Sequence, residues 1–299
     1  IDTGLVLALC QAILRRRPAL RFVIQGCAKQ GRVPLRVQRV LELGLVQLLF
    51  FDRIPDHAAV DLAVRCARRL GLNKQTGLIN GILRRVGREK DQWIARLEKR
   101  DDGLLMGPAP EPIFRRWVAR FGAEAAATLQ RRLGEPAVVD ARLDQGDLEV
   151  WCERLGAQPI SGAPARMVLP SGAPQSLPGF ATGEWTVQDR NAARIVPLLP
   201  PGGRRVVDLC AAPGGKTTQL ANLQTQADLV AIELHEHRAG LVREALARCG
   251  HEGQVVVGDA CDLVGELGPF DRMVLDAPCS GLGTLRRHPE ISARQRLSD

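Results

Sequence analysis

No apolar run in this 299-residue chain approaches the roughly 18 residues needed to cross a membrane, and no charged start leads into an apolar secretory core. A spanning segment and an export signal within this stretch are thereby excluded. The eight cysteines lack the paired spacing of a zinc site: Cys10, Cys27, Cys66, Cys152, Cys249 and Cys261 stand apart and read as small buried hydrophobes. With no metal site and no disulfide framework, they suit a reducing compartment, and the cytoplasm is the expected location. Internal repeats and low-complexity tracts are also missing, so a solenoid is excluded.

What is present divides unevenly. Residues 1–135 hold 25 Lys plus Arg against 13 Asp plus Glu, a net of +12, whereas residues 136–299 hold 16 against 20, a net of −4. The amino-terminal half is therefore the expected footprint of a polyanion, with Arg15 to Arg17, Arg68, Arg69, Arg84, Arg85 and Arg88 as candidates. Any one of them alone is equally a solubilising surface residue. Apolar positions recur at helical spacing: Val37, Val40, Leu41, Gly44, Leu45 and Leu48, then Ala59, Leu62, Ala63, Cys66 and Leu70. Gly71 reads as one helix stop and Gly87 as the end of a helix over 77–86.

Residues 107–112 (Gly-Pro-Ala-Pro-Glu-Pro) read as a linker, followed by helices over 113–121 and 123–133, a strand over 138–143 and a helix over 147–155. The stretch 156–183 is too punctuated by Gly, Pro, Ser and Ala for long elements. Four short apolar strands come after it, at 206–209, 229–232, 255–257 and 273–275.

The first of these strands ends in Asp208 and runs into Leu-Cys-Ala-Ala-Pro-Gly-Gly-Lys, with a helix expected from about Thr217. That is how a parallel α/β sheet opens a cofactor site at a strand's carboxyl end. Gly214 and Gly215 carry no Cβ, which lets a ligand approach the backbone and the helix-start N–H groups. A nucleoside triphosphate loop is disfavoured because that pattern needs glycine at position 210, where Cys210 stands. Glu233 lies 19 residues beyond Gly214, where an acid accepts from ribose hydroxyls; by itself it is also a solvated helix start. Asp259, at the next strand end, suits an adenine amino group or a turn. Asp276, beside Cys279, is placed to face cofactor and base, or to cap the next segment. A thiol at such a site fits methylation at carbon 5 of a pyrimidine, where addition to carbon 6 makes an unreactive carbon nucleophilic. Pro278 is expected to stiffen this loop, and Gly281 and Gly283 to loosen the chain just beyond it. Arg286, Arg287 and His288 are candidates to hold phosphates flanking an extruded nucleotide, or an exposed helix start.

Asp208 to Thr217 together with Leu275 to Gly281 resembles the RNA cytosine-5 methyltransferases that use S-adenosylmethionine. Residues 286–291 and 185–189 resemble the 16S ribosomal RNA branch of that family, the RsmB or Sun type. Residues 43–51, 54–60 and 77–84 resemble the NusB-type helical RNA-binding module carried by that branch. The resemblance implies an all-α amino-terminal domain (1–106, a NusB-like bundle), a linker and small α/β subdomain (107–183), and a Rossmann-like α/β methyltransferase domain (184–299) that is incomplete at its carboxyl end. It implies cofactor contacts from Cys210, Ala211, Ala212, Pro213, Gly214, Gly215, Lys216, Glu233, Asp259 and Asp276. Lys216 and Asp276 fall in the catalytic group, with Cys279 assisting product release.

In the family the attacking cysteine lies on a later strand. The chain starts at Ile1 inside a helical pattern and stops at Asp299, so both ends are expected to be cut and the chain as given to be inactive or impaired. The expected partner is small-subunit ribosomal RNA. Transfer RNA is the alternative substrate, and a non-catalytic RNA-binding or assembly module the alternative class.

Overall fold

The structure, a computed structural model, describes residues 3–28, 33–170 and 172–293. Ile1 and Asp299, on which the expectation of cut ends rests, lie outside them. The chain forms two units, one of residues 1–137 with 280–299 and one of residues 138–279.

The first unit is helical: α1 (Thr3–Cys27), α2 (Leu35–Phe50), α3 (Asp56–Arg69), α4 (Thr76–Arg88), α5 (Lys90–Lys99), α6 (Glu111–Phe121) and α7 (Ala123–Gly134). Prolines stand just outside three of these helices, Pro34 before α2, Pro55 before α3 and Pro110 before α6. There a fixed φ and a missing N–H cost nothing. The stripe predicted on α2 is buried throughout, and Leu41, Leu45 and Leu48 pack with Val23, Ile79, Leu83 and Leu97 in one core. Each such leucine contributes roughly 1.5–3 kcal/mol by leaving water. On α3 the stripe stops short, because Leu70 comes after the last helical residue and stays exposed.

Three local expectations need correction here. Gly87 does not end its helix, since α4 continues through it to Arg88. Residues 107–112 are not a loose linker. Ala109 is buried, its N–H and carbonyl both bond the side chain of buried Gln130, and a Cβ on Gly107 would lie 2.0 Å from the Gln130 carbonyl oxygen. Nor is the stretch after Cys279 loose. Leu282, Leu285 and Ile291 join Ala109, Ile113, Trp117 and Leu133 in a second apolar cluster of this unit.

The second unit carries two sheets. Strands β1 (Asp140–Leu143), β2 (Gln158–Pro159), β3 (Arg166–Val168) and β4 (Trp185–Val187) form an antiparallel sheet in the order β2-β3-β1-β4. Helix α8 (Leu148–Leu155), capped by the Asp147 carboxylate, packs Trp151 and Leu155 against Met167 and Trp185. Strand β4 pairs with β1, so this small sheet continues past residue 183, where the sequence reading ended it.

The other sheet is parallel: β5 (Arg205–Asp208), β6 (Asp228–Glu233), β7 (Gln254–Val257) and β8 (Arg272–Val274), in the order β7-β6-β5-β8. Helices α9 (Gly215–Leu223), α10 (Glu236–Arg248) and α11 (Ala260–Leu267) connect the strands. Strand alternation feeds two cores. Val206, Leu220, Ala231 and Val242 fill one, and Val207, Val230, Ile232 and Leu263 the other. A parallel sheet covered on both faces is the result of that pattern.

Candidate active site

The chain leaves β5 for β6 and β7 on one side, and β8 returns on the other. Such a reversal opens a crevice at the carboxyl ends of β5 and β8, because their connections diverge. A crevice of about 190 Å³ lies there, lined by the loop after β5, by Val187 at the end of β4 with Gln188 and Asp189 beyond it, and by Asp276 after β8. Larger cavities of about 600 and 460 Å³ lie in the helical unit, but neither borders the loops after β5 and β8.

Helix α9 begins at Gly215, two residues before the expected start, and its first backbone bond runs from the Thr218 N–H to the Gly214 carbonyl. The N–H groups of Gly215, Lys216 and Thr217 precede that bond, where an α-helix leaves its first donors without an intrahelical partner. Lys216 Nζ donates to Asp276 Oδ2 at 2.5 Å, which brings the two motif loops together. Asp276 lies in a coil and caps no helix.

The two glycines divide the work differently from the sequence reading. Gly214 has φ +101°, and a Cβ there would sit 2.7 Å from the Ala245 Cβ on α10, so its bare Cα serves the turn and the packing behind it. Gly215 is the one that lines the crevice.

Behind the loop, Asp208 is buried and accepts from the Thr217 hydroxyl at 2.8 Å, while its Oδ1 is enclosed with no hydrogen-bond partner. Burial pushes its carboxyl up from 3.8 to about 6, against the pull of the Thr217 hydroxyl. Burial, followed by the neighbouring carboxylates Asp208, Glu233 and Asp276, raises the Cys210 thiol too. Cys210 lines the crevice.

Glu233 is only 3% exposed, which removes the solvated alternative. Its carboxylate accepts from the N–H groups of Ala212 at 3.2 Å and His235 at 3.3 Å and pairs with Arg238 at 3.5 Å. It thus braces the loop from β6. Exposed Asp259 caps α11 through the Cys261 N–H at 2.8 Å. Cys279 is a free, exposed thiol three residues beyond Asp276.

Arg286, Arg287 and His288 fall in the turn between two 3-10 segments, so they do not begin a helix. The Arg286 guanidinium bonds the Pro136 carbonyl at 3.0 Å and approaches Glu135 at 3.4 Å, and His288 Nδ1 lies 3.1 Å from Glu290. Arg15, read as a polyanion contact, is buried, and its Nε donates to the Arg286 carbonyl at 2.8 Å. Arg16 likewise donates to the Met106 carbonyl and stacks on Phe50. Arg68, Arg69, Arg84 and Arg88 remain on the surface.

Sequence reasoning missed Arg142, buried behind the crevice, and Gln188, largely buried in its wall. Gln188 had a signal, since it lies just after β4 inside the 185–189 segment. Arg142 had none, because a charged residue on a short strand reads as solvent-facing. Among the described residues there is no group of three or more metal-ligating side chains and no helix long and apolar enough to cross a membrane.

Comparison with known proteins bears on both units. Residues 195–299 match the family described as 16S rRNA methyltransferase RsmB/F, and residues 1–88 match the NusB family. Ribosomal RNA small subunit methyltransferase B of Erwinia tasmaniensis is 35% identical over 311 residues, covering 100% of this chain and 71% of that protein. The protein of the same name from Cronobacter sakazakii is 33% identical with the same coverage. Among solved structures, the crystal structure of PH0851 superposes with a TM-score of 0.73 at 22% identity, covering 98% of this chain and 69% of that one, a likeness of fold.

Proposed function

Because this chain belongs to the ribosomal RNA small subunit methyltransferase B family of 16S rRNA methyltransferases, we propose that it transfers a methyl group from S-adenosylmethionine to carbon 5 of a cytosine in small-subunit ribosomal RNA. The observation that carries this reading is the Lys216–Asp276 pair, which sets a carboxylate at the rim of a crevice built from a glycine loop and a helix start.

The residues fit the cofactor. Unbonded N–H groups at the start of α9 and the Lys216 ammonium suit its carboxylate, Gly215 leaves room at the wall, and Glu233 and Asp259 stand at the ends of β6 and β7 for the ribose and adenine. Bound there, S-adenosylmethionine supplies an electrophilic methyl group.

The rest is carried by the chain and the RNA. A thiolate adds to carbon 6 of cytosine, and the electron pair displaced from the 5,6 double bond makes carbon 5 nucleophilic. Carbon 5 takes the methyl group as its bond to sulfur breaks. A base then removes the proton on carbon 5, the double bond re-forms and the thiolate leaves. Asp276 is the carboxylate placed for proton handling. Cys279, exposed three residues further on, takes the product-release role that the family resemblance gives it. The surface arginines of α3 and α4, with Arg287 and His288, are the phosphate contacts of the RNA. The domains assigned are a helical RNA-binding domain, a small antiparallel subdomain and the parallel-sheet methyltransferase domain.

Titration calorimetry with S-adenosylmethionine tests the cofactor reading whichever thiol attacks. Saturable 1:1 binding is expected, and no binding at any accessible concentration would favour the non-catalytic module. With labelled cofactor and 16S rRNA, any transferred label is expected on carbon 5 of cytosine; label elsewhere, or on transfer RNA in preference, overturns the finer assignment. In a longer form that carries the later-strand cysteine of the family pattern, Cys279→Ala should accumulate a denaturation-resistant protein–RNA adduct if Cys279 serves release. If it is the attacking group, no adduct forms.

A further inference from the structure

Arg142 sits on β1, 4% exposed, and its guanidinium bonds both the flank of its own sheet, at Asp144 and Gln188, and the start of α9, at Gly215 and Thr218. Nε donates to Asp144 at 2.5 Å; one terminal nitrogen donates to Gln188 Oε1 at 2.7 Å and to the Gly215 carbonyl at 2.9 Å; the other reaches the Thr218 hydroxyl at 3.1 Å. Gln188 doubles the contact, since its Nε2 donates to the same Gly215 carbonyl at 3.2 Å and to Gln219 at 2.9 Å. Asp144 is held in turn by Asn222 and the Thr186 hydroxyl, each at 2.7 Å.

A buried cation is costly, and one placed behind the first turn of a helix also opposes the helix dipole. Asp144 offsets the charge, but an apolar residue would fill the space without either cost. What an apolar residue cannot do is fix the direction of a carbonyl. Because the peptide unit is planar and trans, the Gly215 C=O and the Lys216 N–H point opposite ways in one rigid plate. Holding that oxygen from behind therefore sets the Lys216 N–H toward the crevice, and sets the root of the side chain whose Nζ bonds Asp276.

We infer that Arg142 is a positioning residue for the cofactor loop: through the Gly215 carbonyl and Gln188 it presets the donor N–H groups of the α9 start before the ligand arrives. The inference rests on reading the crevice as the S-adenosylmethionine site. Its planar fork is the necessary property, so lysine, a point charge, is a poor substitute.

The test has two arms. In the unaltered chain without cofactor, the hydrogen-bonded amides of the loop, those of Ala211, Ala212, Gly214 and Thr218, are expected to resist hydrogen exchange as strongly as those of β5. Rapid exchange confined to this loop would overturn the proposal, and this arm needs no variant to fold. In Arg142→Lys the loop should lose protection while β5 and β6 keep theirs, and calorimetry should show S-adenosylmethionine binding about tenfold weaker. Affinity within twofold of the unaltered chain, or loss of protection spread evenly over the sheet, would overturn it and leave Arg142 a packing residue. Failure of the unaltered chain to bind S-adenosylmethionine would count against the cofactor reading, and the exchange pattern would still decide whether Arg142 presets the loop.

Discussion

Lys216 and Asp276 are 60 residues apart in sequence, yet their side chains meet at 2.5 Å between Nζ and Oδ2. Asp276 remains 62% exposed on its side chain, so the pair contributes at most about 1 kcal/mol to stability. Its value is positional. Lys216→Met is expected to move the urea midpoint little while weakening S-adenosylmethionine binding by about tenfold, as calorimetry would show. A variant with unchanged affinity would remove Lys216 from the site.

Gly214 and Gly215 should separate under substitution. Gly214→Ala forces a Cβ to 2.7 Å from that of Ala245 at a positive φ, so a stability loss of about 1–3 kcal/mol is expected in urea denaturation. Gly215→Leu places its Cβ at ordinary contact distance, 3.8 Å from Gln188 Cγ and 4.0 Å from the Val187 carbonyl oxygen, and adds its bulk at the crevice wall. It should keep most of its stability and lose cofactor binding.

Asp208 gives the protein a pH signature with a definite sign. Its carboxyl is raised by burial to about 6, so the folded state holds a proton that the unfolded state has released above 3.8. Its contribution to stability is therefore greatest below the unfolded value and falls as pH rises to about 6, after which the loss is constant, about 3 kcal/mol in all. Asp208→Asn should flatten this part of the stability–pH curve and stabilise the protein above pH 6. Urea titrations at pH 4, 5, 6 and 7 read it directly.

Arginines in the helical unit should fall into two classes. Arg84→Glu with Arg88→Glu, both on the surface of α4, is expected to leave folding intact, weaken RNA binding and lower the slope of log affinity against log salt by about 1–2. Arg15→Ala removes a buried donor to the Arg286 carbonyl and should instead lower the melting temperature. Equal effects of the two on salt dependence would overturn the division.

Periodicity and punctuation carried much of the fold. The four parallel strands lie within a residue or so of short apolar runs, and for β5 and β6 the reason is burial on both faces, which leaves a continuous apolar signature. Helix α2 was legible for the same reason. The packed state of residues 107–112 was hidden, because Gly and Pro mark a turn without saying whether another element covers it, and here Gln130 does. Arg15 misled because charge alone does not report depth.

At the site, the small residues from Ala211 to Gly215 marked a tight turn before a helix, and a turn with Gly214 at positive φ leading into α9 is what they form. Arg142 stayed silent. Its role exists only because β1 of one sheet is folded against the start of α9, 73 residues away.

By itself the sequence determined which local elements form, where the cofactor loop and the thiol loop lie, and that one half carries the positive charge, since each depends on neighbouring residues or on composition. Tertiary structure alone decided which of two adjacent glycines faces the crevice, which arginines are buried, and that Lys216 meets Asp276. Those outcomes depend on the distance between residues far apart in the chain, and only the packing of strands and helices sets that distance.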